Sequence, residues 1–134
     1  MGKGAVAASY AIQRTVNETF ESAVERVTAT LKDQGYGVLT TIDVKATLKA
    51  KIGADVEPQV ILGACNPNLA HRALELEPDL GLLLPCNVVV RRSGGKVLVS
   101  AIDPASMLGV TGNPALEQIA AEARVRLRAA IEAV

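Results

Sequence analysis

The chain has 134 residues, and its 14 Lys plus Arg residues balance 14 Asp plus Glu residues, so the formal net charge at pH 7 is zero. Hydrophobic residues make up 49% of the sequence, but aromatic residues only 2%. Without a basic excess, or the aromatic rings on which bases stack, the chain lacks the usual features of nucleic-acid-binding proteins. The length is typical of one domain, and we expect residues 1–134 to form a single domain with an aliphatic core.

The sequence contains no signal for export or membrane insertion. No apolar run approaches the roughly 18 residues of a membrane-spanning helix, and the first residues lack the apolar stretch of a secretory signal. We therefore expect a cytoplasmic protein with no membrane partner. Cys65 and Cys86 are then expected to be free thiols, because disulfides are rare in reducing compartments.

The first half of the chain predicts a strand, a helix and a second strand. Residues Ser9–Val16 alternate between apolar and polar side chains, with Tyr10 on the apolar face, which is typical of a half-buried strand. An apolar stripe with helical spacing follows over Glu18–Gln34. Asn17 or Thr19 is available to cap that helix, and Gly35 follows it as a left-handed C-cap. The second strand covers Val38–Ile42.

The middle of the chain predicts a short helix, a buried strand and another helix. Asp43 is a suitable N-cap for the short helix, which ends at Gly53. The strand Gln59–Ala64 is apolar throughout, which favours a central place in the sheet. The Asn66-Pro67 pair is a helix-start signal, and that helix is expected to end near Glu77.

The last third predicts a β-hairpin and a long helix. Strands Asn87–Arg91 and Lys96–Ile102 are joined by Ser93-Gly94-Gly95, a tight turn. After Asn113-Pro114 the apolar residues again follow a helical stripe, which predicts a helix to the end of the chain.

These elements predict an α+β fold with one mostly antiparallel sheet and two long helices on one face. The order is β-α-β4-α with short inserted helices. Both faces of the last hairpin are apolar, since Val88 and Val90 alternate with Val89 and Leu98 adds to the outer face. Large apolar patches are rarely left exposed, so the shorter helices or a second subunit must cover the outer face. We therefore predict a homodimer.

Three dipeptides carry a family resemblance. Asn66-Pro67, Leu84-Pro85 and Asp103-Pro104, together with the segments around them, strongly resemble the bacterial and archaeal family called domain of unknown function 302. The resemblance covers nearly the whole chain, about residues 10–108 together with the last helix. It implies a β-α-β4-α fold and leaves the activity open. It also implies that Cys65 and Cys86 are not general to the family, so they are not essential to its shared role.

Cys65, His71 and Cys86 are the candidate residues for reactive or metal chemistry. Cys65 ends a strand just before a helix N-terminus, where the helix dipole stabilises a thiolate. Two thiolates and an imidazole could also bind a soft metal ion. However, the C-x5-H spacing matches no compact metal motif, and His71 falls on the solvent face of its helix. The alternative interpretation is two buried apolar thiols and a surface histidine.

The turn at Asn66-Pro67-Asn68 is a second candidate. Free backbone N–H groups at a helix start bind anions, and Gly63 would allow a ligand to approach the backbone. The alternative interpretation is an ordinary Asn cap. With Cys65, Cys86 and Asn87, this turn forms the tentative ligand site.

No catalytic set is recognisable in the sequence. A single histidine supplies no Ser-His-Asp relay, and phosphate-binding and dinucleotide motifs do not occur. We therefore predict a non-catalytic dimeric module that binds a small ligand or a protein, with no cofactor. The alternative function is that of a thiol-dependent redox protein or soft-metal carrier that uses Cys65 and Cys86.

Overall fold

The computed structural model describes residues 7–134, which form one five-stranded sheet and surrounding helices. The strands are β1 (Ala11–Val16), β2 (Gly37–Asp43), β3 (Gln59–Cys65), β4 (Cys86–Ser93) and β5 (Lys96–Ile102). Their spatial order is β1-β5-β4-β3-β2, and every pairing is antiparallel. The predicted α+β class and the β-α-β4-α order are confirmed.

The helices are α1 (Phe20–Asp33), α2 (Val44–Ile52), α3 (Pro67–Leu76), α4 (Pro104–Gly109) and α5 (Glu117–Glu132). Thr19, Asp43 and Asn66 cap α1, α2 and α3 through their side-chain oxygens. The cap at Asp43 and the cap at Asn66 were predicted, and Thr19 is the one of the two α1 candidates that caps. These polar side chains fix where the helices begin, because they accept hydrogen bonds from free N–H groups of the first turn.

The structure differs from the prediction in three short segments. Helix α4 was not predicted, and Asp103 of the Asp103-Pro104 dipeptide is its N-cap. A 3₁₀ helix at Pro78–Leu82 was also missed, and a 3₁₀ turn at Pro114–Leu116 precedes α5. Strand β1 starts at Ala11, so Tyr10 lies in a turn and is exposed.

The main core lies between one face of the sheet and the helices α1 and α5, as predicted. Alternate strand residues and one stripe of each helix are buried there: Val60, Leu62, Ala64, Val88, Val90, Val97, Val99, Ala101, Ala23, Val27, Leu31, Leu127, Ala130 and Ile131. A second cluster lies between α3, α4 and α5: Leu69, Ala73, Leu80, Leu108, Leu116, Ile119, Ala120 and Ala123. Helix α5 therefore contributes to both clusters and joins them.

The outer face of the sheet is less open than the sequence suggested. Leu98 is buried, and Ile61, Val89 and Ile102 are half-buried. Ile42 is paired with Ile61 on this face and is exposed. Other large exposed apolar side chains are Leu39, Ile52, Leu82, Val110 and Val125. The apolar outer face therefore gives no support to the homodimer, which stays a prediction.

The β4–β5 hairpin has the predicted tight turn. Ser93 is paired with Lys96, so Gly94 and Gly95 are the two turn residues. Both have positive φ, at 56° and 84°, which a type I′ turn requires and glycine adopts without strain. Within residues 7–134, no helix is both long and apolar enough to cross a membrane.

Candidate functional site

The two segments of the tentative ligand site meet at one end of the sheet. Cys86 starts β4 directly opposite Ala64 of β3, so Cys65 and the Asn66 turn lie beside the Leu84-Pro85 step. Together they line a cavity of about 40 Å³, which we call the thiol cavity. The remaining walls are mostly apolar and include Leu69, Ala70, Ala73, Met107, Leu108 and Ile119.

Asn66 fixes the turn between β3 and α3. Its Oδ1 accepts a hydrogen bond of 3.2 Å from the N–H of Leu69, and the residue is buried. Pro67 follows at the first helical position, where its missing N–H costs no hydrogen bond. The cap therefore holds the start of α3 against the cavity, as expected of an ordinary Asn cap.

Tyr36 lines the thiol cavity and was missed by the sequence analysis. Gly35 has a φ of 84° after α1, and the N–H of Tyr36 donates to the carbonyl of Leu31 at 2.9 Å. This is a Schellman C-cap, in which the residue after the glycine commonly packs against the last turn of the helix. Gly35 was recognised as the cap, and the same motif was the signal that could have located Tyr36 in the core.

Gly63 serves the packing of the chain and not the approach of a ligand, which corrects the sequence interpretation. A Cβ at this position would lie 2.9 Å from Cγ of Pro85 and closer still to Oγ1 of Thr40. These side chains from β2 and from the cis Leu84–Pro85 step occupy the space above the Gly63 backbone. Glycine is therefore needed there so that β2 and the Leu84-Pro85 step can pack against β3.

Burial makes both thiols weaker acids. Burial raises the pKa of Cys65. Burial, with a smaller contribution from the charge of Cys65, raises the pKa of Cys86 from 9.0 to about 11. Burial also raises the pKa of Tyr36, and a Cys86 thiolate adds to the effect. The lowered pKa expected for Cys65 at the start of α3 is therefore not found, because burial raises the pKa of this thiol.

The other predicted site residues are not brought into the cavity. Asn68, His71 and Asn87 are exposed and do not line it. In the described part of the chain, no three His, Cys, Asp or Glu side chains form a group that could hold a metal ion. His71 therefore does not complete a ligand set with the two thiols. Leu74 and Leu76 of α3 are also exposed.

A charged network lies on the surface between α3, α5 and the end of α1. Glu122 accepts from Arg72 at 3.3 Å and from Arg126 at 3.5 Å. Arg126 also donates to the carbonyl of Gln34 at 3.3 Å. Gln34 lies two residues before Tyr36. The hydrogen bond from Arg126 therefore links α5 to the chain segment that lines the thiol cavity.

A larger depression lies between α4, the following loop and the outer side of α5. It has a volume of about 790 Å³, and we call it the α4–α5 groove. Leu108, Leu116, Ala121 and Val125 contribute apolar surface. Arg124, Arg128, Glu117 and Glu132 contribute the charges along α5. The sequence analysis did not identify this groove, because α4, which forms one of its walls, was not predicted.

The fold places the chain in a class of α+β proteins with a five-stranded antiparallel sheet and two long helices on one face. A family model described as "Domain of unknown function DUF302" matches residues 12–134. The chain belongs to this family. The fold is similar to a crystal structure of an uncharacterized conserved DUF302 protein from Bacillus stearothermophilus, with a TM-score of 0.88 and 33% identity over 93% of this chain and 98% of that chain. No curated protein matches the chain.

Proposed function

We propose that this protein is a non-catalytic, cytoplasmic binding module that acts as a homodimer and holds its ligand at the thiol cavity. The observation that carries the proposal is the meeting of the Cys65–Asn66 turn and the Leu84–Cys86 step around one apolar cavity. Ligand sites are commonly apolar hollows with a few polar groups that orient the ligand. Here the polar groups are the Asn66 amide, the Tyr36 hydroxyl and the two thiols.

The size of the cavity limits the chemical class of the ligand. A volume of about 40 Å³ accommodates only a few heavy atoms. We therefore propose that the occupant is a small apolar molecule, or the apolar end of a longer ligand that enters beside Cys65, the less buried of the two thiols. The raised pKa values of Cys65 and Cys86 support binding over catalysis, because protonated thiols are poor nucleophiles.

Xenon is a suitable probe, because dry apolar cavities bind it. We expect the methyl NMR signals of Leu69 and Leu84 to shift under xenon pressure. Ala70 is half-buried on the cavity wall, so Ala70→Leu should fill the space and abolish the shifts. Ala29→Leu adds the same side chain on an exposed position of α1 and should leave them unchanged. Shifts that are absent in the wild type, or that persist in Ala70→Leu, would contradict the ligand site.

The thiol-dependent function is kept as a second candidate because Cys65 and Cys86 line the same cavity. Hydrogen peroxide would oxidise the two thiols to one disulfide, with both protons and the peroxide oxygens leaving as two water molecules. Mass spectrometry would then detect the loss of two hydrogens, and Cys65→Ser would prevent it. Intact thiols after peroxide treatment of the folded protein would exclude this candidate.

A further inference from the structure

The α4–α5 groove is not used by the proposed ligand site. Val125 on the outer side of α5 is 70% exposed, and Ala121 and Ala129 line the groove one helical turn before and after it. Small side chains in a row allow another helix to approach closely. Helix α5 has 16 residues, which corresponds to a length of about 24 Å, so the groove offers a surface as long as a typical helix.

Two side chains of opposite charge flank the apolar stripe of the groove. Glu117 lies at the start of α5, and Arg128 lies three turns later. Within residues 7–134, neither side chain has an ion-pair partner. Arg124, between them, is already engaged, since its Nε donates to Asp103 at 3.1 Å. Glu132, one turn beyond Arg128, also lines the groove and has no ion-pair partner within residues 7–134. The free acid Glu117 and the free base Arg128 therefore lie on either side of the short apolar stripe.

We propose that a second copy of this chain occupies the α4–α5 groove, with the two α5 helices antiparallel. This inference rests on the proposed homodimer and names its interface. A twofold axis between Glu122 and Ala123 places Glu117 of each subunit beside Arg128 of the other. A twofold interface buries the same patch on both subunits, so one arrangement pairs both free charges twice. A parallel arrangement would instead place like charges together.

The exposed edge of β2 is the alternative surface for the dimer interface. Leu39 and Ile42 are exposed there, and the outer edge of β2 has no strand partner among the described residues. However, the register of β2 shifts between Val38 and Thr40. Such irregularities are a known device that prevents edge-to-edge pairing. The groove is therefore the better candidate, since it is apolar and also complementary to itself in charge.

Light scattering coupled to size-exclusion chromatography at micromolar concentration tests the interface. Glu117→Arg places a positive side chain on both sides of the apolar stripe, and Arg128→Glu places a negative side chain on both sides. Each variant alone should dimerise at least about tenfold more weakly, because like charges oppose each other across the interface. An equimolar mixture of the two should recover a dimer, which also shows that both variants fold.

Leu39→Arg is the matched control on the β2 edge and should remain dimeric. Two results would overturn the groove interface but not the homodimer. In the first, both charge variants dimerise as strongly as the wild type. In the second, mixing the variants recovers no dimer. A monomer caused by Leu39→Arg alone would move the interface to β2. A wild-type monomer would overturn both the interface and the proposed homodimer, and the xenon experiment would still test the ligand site separately.

Discussion

Helices α5 and α2 both follow helix-start signals in the sequence, Asn113-Pro114 and Asp43, but they differ completely in burial. Helix α5 buries Leu127, Ala130 and Ile131 in the main core. Helix α2 has an N-cap at Asp43 and a C-cap at Gly53, yet none of its residues is buried. Local signals therefore suffice to start and end a helix, whereas tertiary packing decides how much the helix contributes to the stability of the protein.

The two strands that flank β3 differ in burial in the same way. Strand β4 alternates buried and partly exposed residues at the centre of the sheet, whereas most residues of β2 are exposed. We therefore expect the β2–α2 segment to open locally at lower free energy than the rest of the fold. Four predictions test this difference, from the largest expected effect to the smallest.

Truncation of a leucine should show the difference most clearly. Leu127→Ala removes a fully buried side chain of α5 and should lower the free energy of unfolding by about 3–4 kcal/mol, as in other buried cores. Leu48→Ala on α2 removes a half-buried side chain and should cost about 1 kcal/mol. Urea denaturation measures both values. Equal losses would show that α2 is packed as firmly as α5.

The titration of buried groups should destabilise the packed region at high pH. The folded state disfavours the Cys86 thiolate, whose pKa rises from 9.0 to about 11. As the pH rises through this range, the unfolded chain loses its proton first, so the free energy of unfolding falls, by up to about 3 kcal/mol. Burial of Tyr36 acts in the same direction at still higher pH. Thermal unfolding from pH 8 to 11 measures the slope, and Cys86→Ala should flatten it below pH 11.

Substitution by alanine should destabilise the protein at one of two glycines on adjacent strands and have almost no effect at the other. In Gly63→Ala the new Cβ meets Pro85 and Thr40, which should cost about 2 kcal/mol through overpacking. In Gly37→Ala the new Cβ meets no atom within 4 Å, so stability should change by less than about 0.5 kcal/mol. The midpoints of urea unfolding compare the two variants. An unchanged stability in Gly63→Ala would mean that the Leu84-Pro85 step moves freely away from β3.

The helix caps should give the smallest effects. Asn66→Ala removes the cap of α3, where the residue is buried, and should cost about 1–2 kcal/mol. Asp43→Ala removes the equivalent bond to the N–H of Ala46, but it should mainly fray α2 and cost about 0.5 kcal/mol. Hydrogen exchange distinguishes the two results, because only Asn66→Ala should increase exchange outside its own helix.

The elements that were predicted correctly are those with strong local signals. The apolar stripe of α5 repeats over four turns. The tight turn of the hairpin needs positive φ at two successive residues, and Gly94-Gly95 is a recognisable sequence for it. Helix α4 has 6 residues, which is too short for a helical repeat, so Asp103-Pro104 alone could not distinguish a helix from a turn. The exposure of Tyr10 was also missed, because the alternation in the sequence begins before Ala11, the first residue of β1.

The candidate site was predictable only in part. The sequence located the turn after Cys65 and the step before Cys86, and antiparallel pairing of β3 with β4 brings them together. The sequence could not show that Met107 and Ile119 complete the walls, since they lie on elements whose positions depend on tertiary packing. The acidity of the thiols depends on the same packing, because burial decides the direction of their pKa shifts.

The position of β1 has a consequence for synthesis of the protein on the ribosome. Strand β1 precedes the other four strands in the chain, but its strand partner among residues 7–134 is β5, with Ala11 paired to Ile102. Its Arg14 also donates to the carbonyl of Glu132 in α5. Strands β2 to β5 are each adjacent to the next in sequence and can pair as they emerge. We therefore expect β1 of the nascent chain to lack this strand partner until β5 has been translated, and to be accessible to chaperones until then.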